Sequence, residues 1–140
     1  MNDLIAALEQ ATGPSRELDD AISTAIGNPP PKTGGYYGWE KSGGSYTKPR
    51  DSEGRTHDTW SAPHYTSSLD SALTLVPEGW AWFVQHIGKP FTTGSARLWI
   101  PAQWTQGIPK EQFVNEAATP ALALCIAALR AREAQKEEVA

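Results

Sequence analysis

The sequence predicts an α+β domain in which an antiparallel sheet is sandwiched between helices. Three observations carry this reading. The two ends are aliphatic and helical in pattern. The middle holds all six tryptophans and all four tyrosines, between Tyr36 and Trp104, partly in segments that alternate as strands do. The strands also follow one another through connections too short for a parallel crossover. At 140 residues, one domain over 1–140 is expected, with a Gly- and Pro-rich hairpin and loop insertion at 28–64.

Each element has a local cause. Asn2 caps a short helix from Asp3 to about Gln10, with Leu4, Ile5 and Leu8 on one face. Gly13-Pro14 stops it, and Ser15 caps a second helix, Arg16 to Ile26, striped by Leu18, Ala21, Ile22, Ala25 and Ile26. Glu17, Asp19 and Asp20 fall in its first turn, where the helix dipole favours them. Gly27, Asn28 and Pro29-Pro30-Pro31 end it. A strand carrying Tyr37, Trp39 and Lys41 turns at Ser42-Gly43-Gly44 and returns through Ser45 to Lys48, a hairpin. Asp51 to Ala62 reads as exposed loop.

Ser67-Ser68-Leu69-Asp70 reads as a capping box, with Ser67 as the cap, opening a helix that bears Leu69, Ala72, Leu73 and Val76. Val76-Pro77-Glu78-Gly79 fits a type I turn. Trp80, Trp82, Val84 and His86 then share one face of a strand, which assigns both tryptophans to the core. A second strand covers Ala96 to Ile100 and a third Phe113 to Ala117. Thr119 caps and Pro120 opens a last helix that runs to about Lys136. Its start, Ala121 to Leu129, is apolar almost all round, so it is buried on more than one side.

Composition excludes several function classes. Cys125 is the only cysteine, so no intrachain disulfide forms, and its apolar neighbours make it a buried thiol. The cytoplasm is the expected compartment: Met1-Asn2-Asp3-Leu4 lacks the basic region of a signal peptide, and Ala121 to Leu129 is too short to span a bilayer. The net charge is −4, with no basic stripe for a long nucleic acid. Asp51, Glu53, His57, Asp58 and His64 match no zinc or calcium spacing, so no metal and no cofactor are expected. No serine lies in a nucleophile elbow, and Gly34-Gly35 and Gly43-Gly44 do not join a strand to a helix as phosphate loops do. The chain is expected not to be an enzyme.

Tyr65 to Trp80, Ala117 to Ala131 and the pattern from Leu8 through Gly13-Pro14-Ser15-Arg16-Glu17-Leu18-Asp19 together resemble the phage ABA-sandwich domain family of small phage and prophage proteins. The resemblance covers about half the chain, leaving out Lys32 to Pro63 and Pro101 to Gln112, and implies a strand layer between helical layers. It carries no catalytic motif. A phage origin makes counter-defence an expected role, with sequestration of a nucleotide-derived host signal as its form.

The aromatic middle supplies the candidate site. In Ala96-Arg97-Leu98-Trp99-Ile100, Arg97 and Trp99 share the face opposite Leu98. An arginine beside a tryptophan can stack on a base and fork onto a phosphate. The expected ligand-binding set is Tyr37, Trp39, Tyr46, Lys48, Arg50, Arg97, Trp99 and Trp104, and the expected partner is a small anionic aromatic ligand. Two alternatives stand: a further helical layer covers this face, or the aromatic surface serves a protein partner in an interaction or structural accessory module. The apolar last helix in so small a chain also predicts a homo-oligomer, a dimer above all.

Overall fold

In the computed structural model, residues 1–33, 39–48, 59–87, 93–101 and 111–139 are described. They form helices α1 (Asn2–Gln10), α2 (Arg16–Ala25), α3 (Leu69–Leu73) and α4 (Pro120–Val139). The strands are β1 (Glu40–Ser42), β2 (Ser45–Thr47), β3 (Thr59–Trp60), β4 (Ala81–Ile87), β5 (Thr93–Trp99) and β6 (Glu111–Ala117). This is the α+β class: four helices with two antiparallel sheets, β1-β2-β3 and β4-β5-β6. No helix among the described residues is long and apolar enough to cross a membrane. The chain packs as two compact units, one of residues 1–14 with 64–140, the other of residues 15–63.

The first unit is organised around α4. Thr119 Oγ1 accepts from the Leu122 amide at 3.1 Å, and Pro120 takes the first helical position. Every residue from Ala121 to Leu129 is buried. The helix packs against β5 and β6 on one side and against α1 and α3 on others, so its apolar girth is enclosed by its own chain. The all-round apolarity therefore needs no second copy to explain it. Each fully buried leucine here contributes about 1.5–3 kcal/mol relative to exposure. Gly94 of β5 lies so close to the Thr119–Pro120 backbone that a Cβ would collide with it. Cys125 is buried as expected, its Sγ donating to the Tyr65 carbonyl at 3.2 Å. Arg132 Nε donates to the Leu75 carbonyl at 2.7 Å and ties α4 to the end of the α3 region.

Four sequence expectations are corrected in this unit. Met1, not Asn2, precedes α1, and no side chain caps it. The cap of α3 is Ser68, whose Oγ accepts from the Ser71 amide at 3.3 Å, while the Ser67 amide bonds the His64 carbonyl in the preceding turn. The next turn lies one residue later than expected, Pro77 to Trp80, closed by the Trp80 amide on the Pro77 carbonyl at 3.2 Å. Gly79 there has φ 90°, as the third position of a type II turn demands. The two neighbouring tryptophans consequently part: Trp80 is buried before the strand begins, whereas Trp82 is exposed, because it stands on an edge strand and α4 lies chiefly over β5 and β6.

The second unit is smaller and polar in its ties. Ser15 caps α2 as expected, its Oγ accepting from Leu18 N at 3.2 Å. β1 and β2 form the expected hairpin through Gly43-Gly44, with Ser42 opposite Ser45. The region expected to be loop contributes a third strand instead, with Trp60 opposite Tyr46 and Thr59 opposite Thr47. The Trp60 ring meets the buried Tyr46 ring edge-on at 5.5 Å. Asp19 and Asp20 are buried rather than displayed at the helix start.

Candidate functional site: an open aromatic sheet face

Alternation along β4, β5 and β6 divides the sheet into two faces. Ala96, Leu98 and Val114 are buried on the α4 side. The other face carries two cross-strand rows. Phe83, Arg97 and Phe113 stand side by side in one, and Ala81, Trp99 and Glu111 in the next. Phe83 and Phe113 are about half exposed, although apolar rings of this size are normally buried.

Between the rings lies a groove of about 310 Å³, lined by Phe83, Gln85, Ser95, Arg97, Trp99 and Phe113. Its lining is apolar except at one end, where Gln85 Nε2 donates to Ser95 Oγ at 3.1 Å. Ser95 falls where the β5–β6 register shifts, between Gly94 and Ala96. Irregular pairing of this kind bends a strand and re-aims its side chains.

Arg97 borders the groove. Its guanidinium lies 4.7 Å from the Trp99 ring centre, on the shared face that the strand period predicts. The fork is already engaged: Nε donates to Glu111 Oε1 at 2.8 Å and Nη2 to Oε2 at 3.3 Å. Both side chains are over two-fifths exposed, so this pair contributes only about 0.2–1 kcal/mol. A phosphate competing with Glu111 for the fork therefore displaces a weak partner.

The remaining predicted site residues are placed differently. Trp39, half-buried, forms an isolated bridge with Thr33, and Lys48 is half-buried just after β2. Tyr46 is 5% exposed, and its hydroxyl donates to Asp20 Oδ2 at 3.0 Å. Burial first, then the Asp20 hydrogen bond and charge, raise the Tyr46 pKa above its ordinary value. That ring has a structural task in the second unit. Tyr37, Arg50 and Trp104 lie outside the described residues, as do Asp51, Glu53, His57 and Asp58 of the dismissed metal set. Phe83, Gln85, Ser95 and Phe113 were not in the predicted set. Their signal was the strand period itself: the face that carries Arg97 in β5 carries Phe83 in β4 and Phe113 in β6.

A second cleft, of about 550 Å³, lies within residues 15–63 and is lined by Ser15, Arg16, Glu17, Asp20, Lys41, Gly43 and Gly44. It resembles an anion site at a helix start, but its arginine is occupied. Arg16 Nη1 donates to Asp19 Oδ2 at 2.7 Å, and Nη2 donates to the carbonyls of Ala62 at 2.7 Å and Gly44 at 3.1 Å. Lys41 Nζ stands 4.0 Å from Asp20 Oδ2. These groups hold the hairpin to α2.

Among the described residues no three His, Cys, Asp or Glu side chains are grouped to hold a metal ion. Compared with protein-family models, with curated proteins and with solved structures, the chain matches none.

Proposed function

We propose that this chain is a non-catalytic binding protein that takes a flat, nucleobase-like ring into the groove on its open sheet face. The observation that carries the reading is the pair of half-exposed rings, Phe83 and Phe113, flanking Arg97 over an apolar groove with a single polar end. The ring lies between the phenylalanines, Gln85 and Ser95 meet its polar edge, and a phosphate takes the Arg97 fork from Glu111. The resemblance to phage ABA-sandwich proteins supplies a setting, a phage protein withholding a nucleotide-derived signal inside its bacterial host.

Calorimetric titration with linear and cyclic nucleotides, and with the matching nucleosides, tests it. Nucleotides bind more tightly than nucleosides, and Phe113→Ala loses about 1–3 kcal/mol, the worth of one stacked base. Arg97→Lys keeps the charge, loses the planar fork and brings nucleotide affinity down towards that of the nucleoside. No heat from any of these ligands, or an unchanged affinity in folded Phe113→Ala, defeats the reading. One observation favours a second reading, a protein-interaction module: the Arg97 fork is already matched by Glu111, so this guanidinium is not a free cation awaiting a phosphate. Under that reading nucleotides do not bind, and Phe83→Ala and Phe113→Ala abolish capture of a protein partner.

A further inference from the structure

The sheet β4-β5-β6 has two edges, and they are built differently. β6 carries Glu111 and Glu116, charges of the kind that keep a further strand from adding. β4 is Ala-Trp-Phe-Val-Gln-His-Ile, seven residues with no Asp, Glu, Lys, Arg, Pro or Gly. Large rings stand exposed on both of its faces, Trp82 at 49% and Phe83 at 50%. Alternate backbone groups of an edge strand point away from its neighbour, and no described strand pairs with β4 on that side. A long, uncharged, aromatic edge is a template for strand addition.

We infer that β4 pairs antiparallel with β4 of a second copy, about a two-fold axis through Val84, forming one continuous six-stranded sheet from two three-stranded ones. The register follows from symmetry. A two-fold at Val84 sets Phe83 opposite Gln85, Trp82 opposite His86 and Ala81 opposite Ile87, so all seven residues pair. Centring on Phe83 or Gln85 leaves the strand ends unpaired. In the Val84 register no two acidic or basic side chains meet, and each exposed ring faces a polar planar group. A foreign strand would have to bring this complement, whereas a second copy already carries it. On the open face, Phe83 of one copy lies beside Gln85 of the other, and the two grooves run together. The inference does not depend on what the groove binds.

Light scattering on the unmodified protein, without ligand, gives the mass, and single-cysteine variants give the register. The native Cys125 is fully buried and does not compete. Directly opposed strand residues have Cα atoms about 4.5–5.5 Å apart, within the range a disulfide spans. Val84→Cys therefore oxidises to a covalent dimer under mild oxidant, while Ala81→Cys, which stands opposite Ile87, stays unlinked. The expected mass is twice 15.2 kDa. A mass of 15.2 kDa at high micromolar concentration overturns the inference and leaves the edge to a different strand. A dimer in which Ala81→Cys links as readily as Val84→Cys also overturns it, because the two-fold then lies elsewhere. Neither result bears on the calorimetric test of the groove.

Discussion

Each of the two compact units is held together internally, and by opposite means. In residues 1–14 with 64–140, a helix that is apolar on every side is enclosed by α1, α3 and a sheet. In residues 15–63, the ties are polar: Arg16 bonds three carbonyls and a carboxylate, and Tyr46 bonds Asp20. Apolar burial is non-directional and depends only on which face a residue occupies. A polar latch depends on particular partners brought together from far along the chain. The first kind of order is written in periodicity, and the second is not.

The largest effect is expected where the apolar unit is attacked at its centre. Leu124→Ala removes a fully buried side chain from the middle of the enclosed stretch. Such truncations cost about 2–5 kcal/mol, depending on how far the site collapses. Urea unfolding should show that loss as a shift in midpoint with an unchanged slope. A cost below about 1 kcal/mol, outside that range, would show that α4 is not the element on which the unit depends.

Periodicity explains which parts of the fold were legible. The Thr119 cap, the all-round burial of Ala121 to Leu129 and the shared face of Arg97 and Trp99 follow from local pattern, and the structure has them. β3 was not legible, because it has two residues and no period can be read in two. By local pattern Asp19 and Asp20 are first-turn acids favoured by the helix dipole. Both are buried: Arg16 reaches Asp19 across one helical turn, whereas the Tyr46 that reaches Asp20 lies 26 residues away, where no local pattern shows it. Two of the six groove residues named above were legible from the strand period. Arg97 and Trp99 lie in one strand, whereas Phe83 and Phe113 join them only through cross-strand register.

Arg16→Ala attacks the polar unit at the corresponding point. Its partners at Gly44, Ala62 and Pro63 lie 28, 46 and 47 residues away, so one substitution releases contacts to two separate stretches of the chain. Hydrogen bonds to a charged group contribute about 1.5–3 kcal/mol, and a net loss near the top of that range is expected. Hydrogen exchange should show the amides of β1 and β2 losing protection. Unchanged protection there would mean that the hairpin is held by the Tyr46 and Trp60 rings and not by the arginine.

Tyr46→Phe removes one latch while keeping the ring. The buried Asp20 Oδ2 loses its donor, at a cost of about 1–3 kcal/mol. The folded-state pKa of Tyr46 is raised above the ordinary value of 10.0. The folded state therefore favours the neutral phenol, and the resulting stability is complete below the unfolded pKa. It is lost as pH rises from there through the higher folded value. Wild-type stability should fall on the alkaline side of pH 10, and Tyr46→Phe should fall less over the same interval. Parallel alkaline curves for the two proteins would show that this hydroxyl does not couple folding to pH.

The smallest effect tests how far local pattern can be trusted inside the apolar unit itself. Two adjacent serines precede α3, and sequence favours Ser67 as the cap because Asp70 follows three residues later. In the structure Ser68 has the extended backbone of a cap, φ −125° and ψ 122°, and its Oγ accepts from the Ser71 amide. The exposed Ser67 contributes its amide to the turn that begins at His64, a bond that any non-proline residue makes. Ser68→Ala should therefore cost about 0.5–2 kcal/mol, and Ser67→Ala should cost almost nothing. Thermal melts of the two variants decide between the assignments, since the substitutions are chemically identical and one residue apart. Equal losses would move the helix start back to Ser67. A loss confined to Ser68→Ala would show that a polar contact spanning three residues is legible to within one position, whereas those of Arg16 to Gly44, Ala62 and Pro63, spanning 28 and more, are not legible at all.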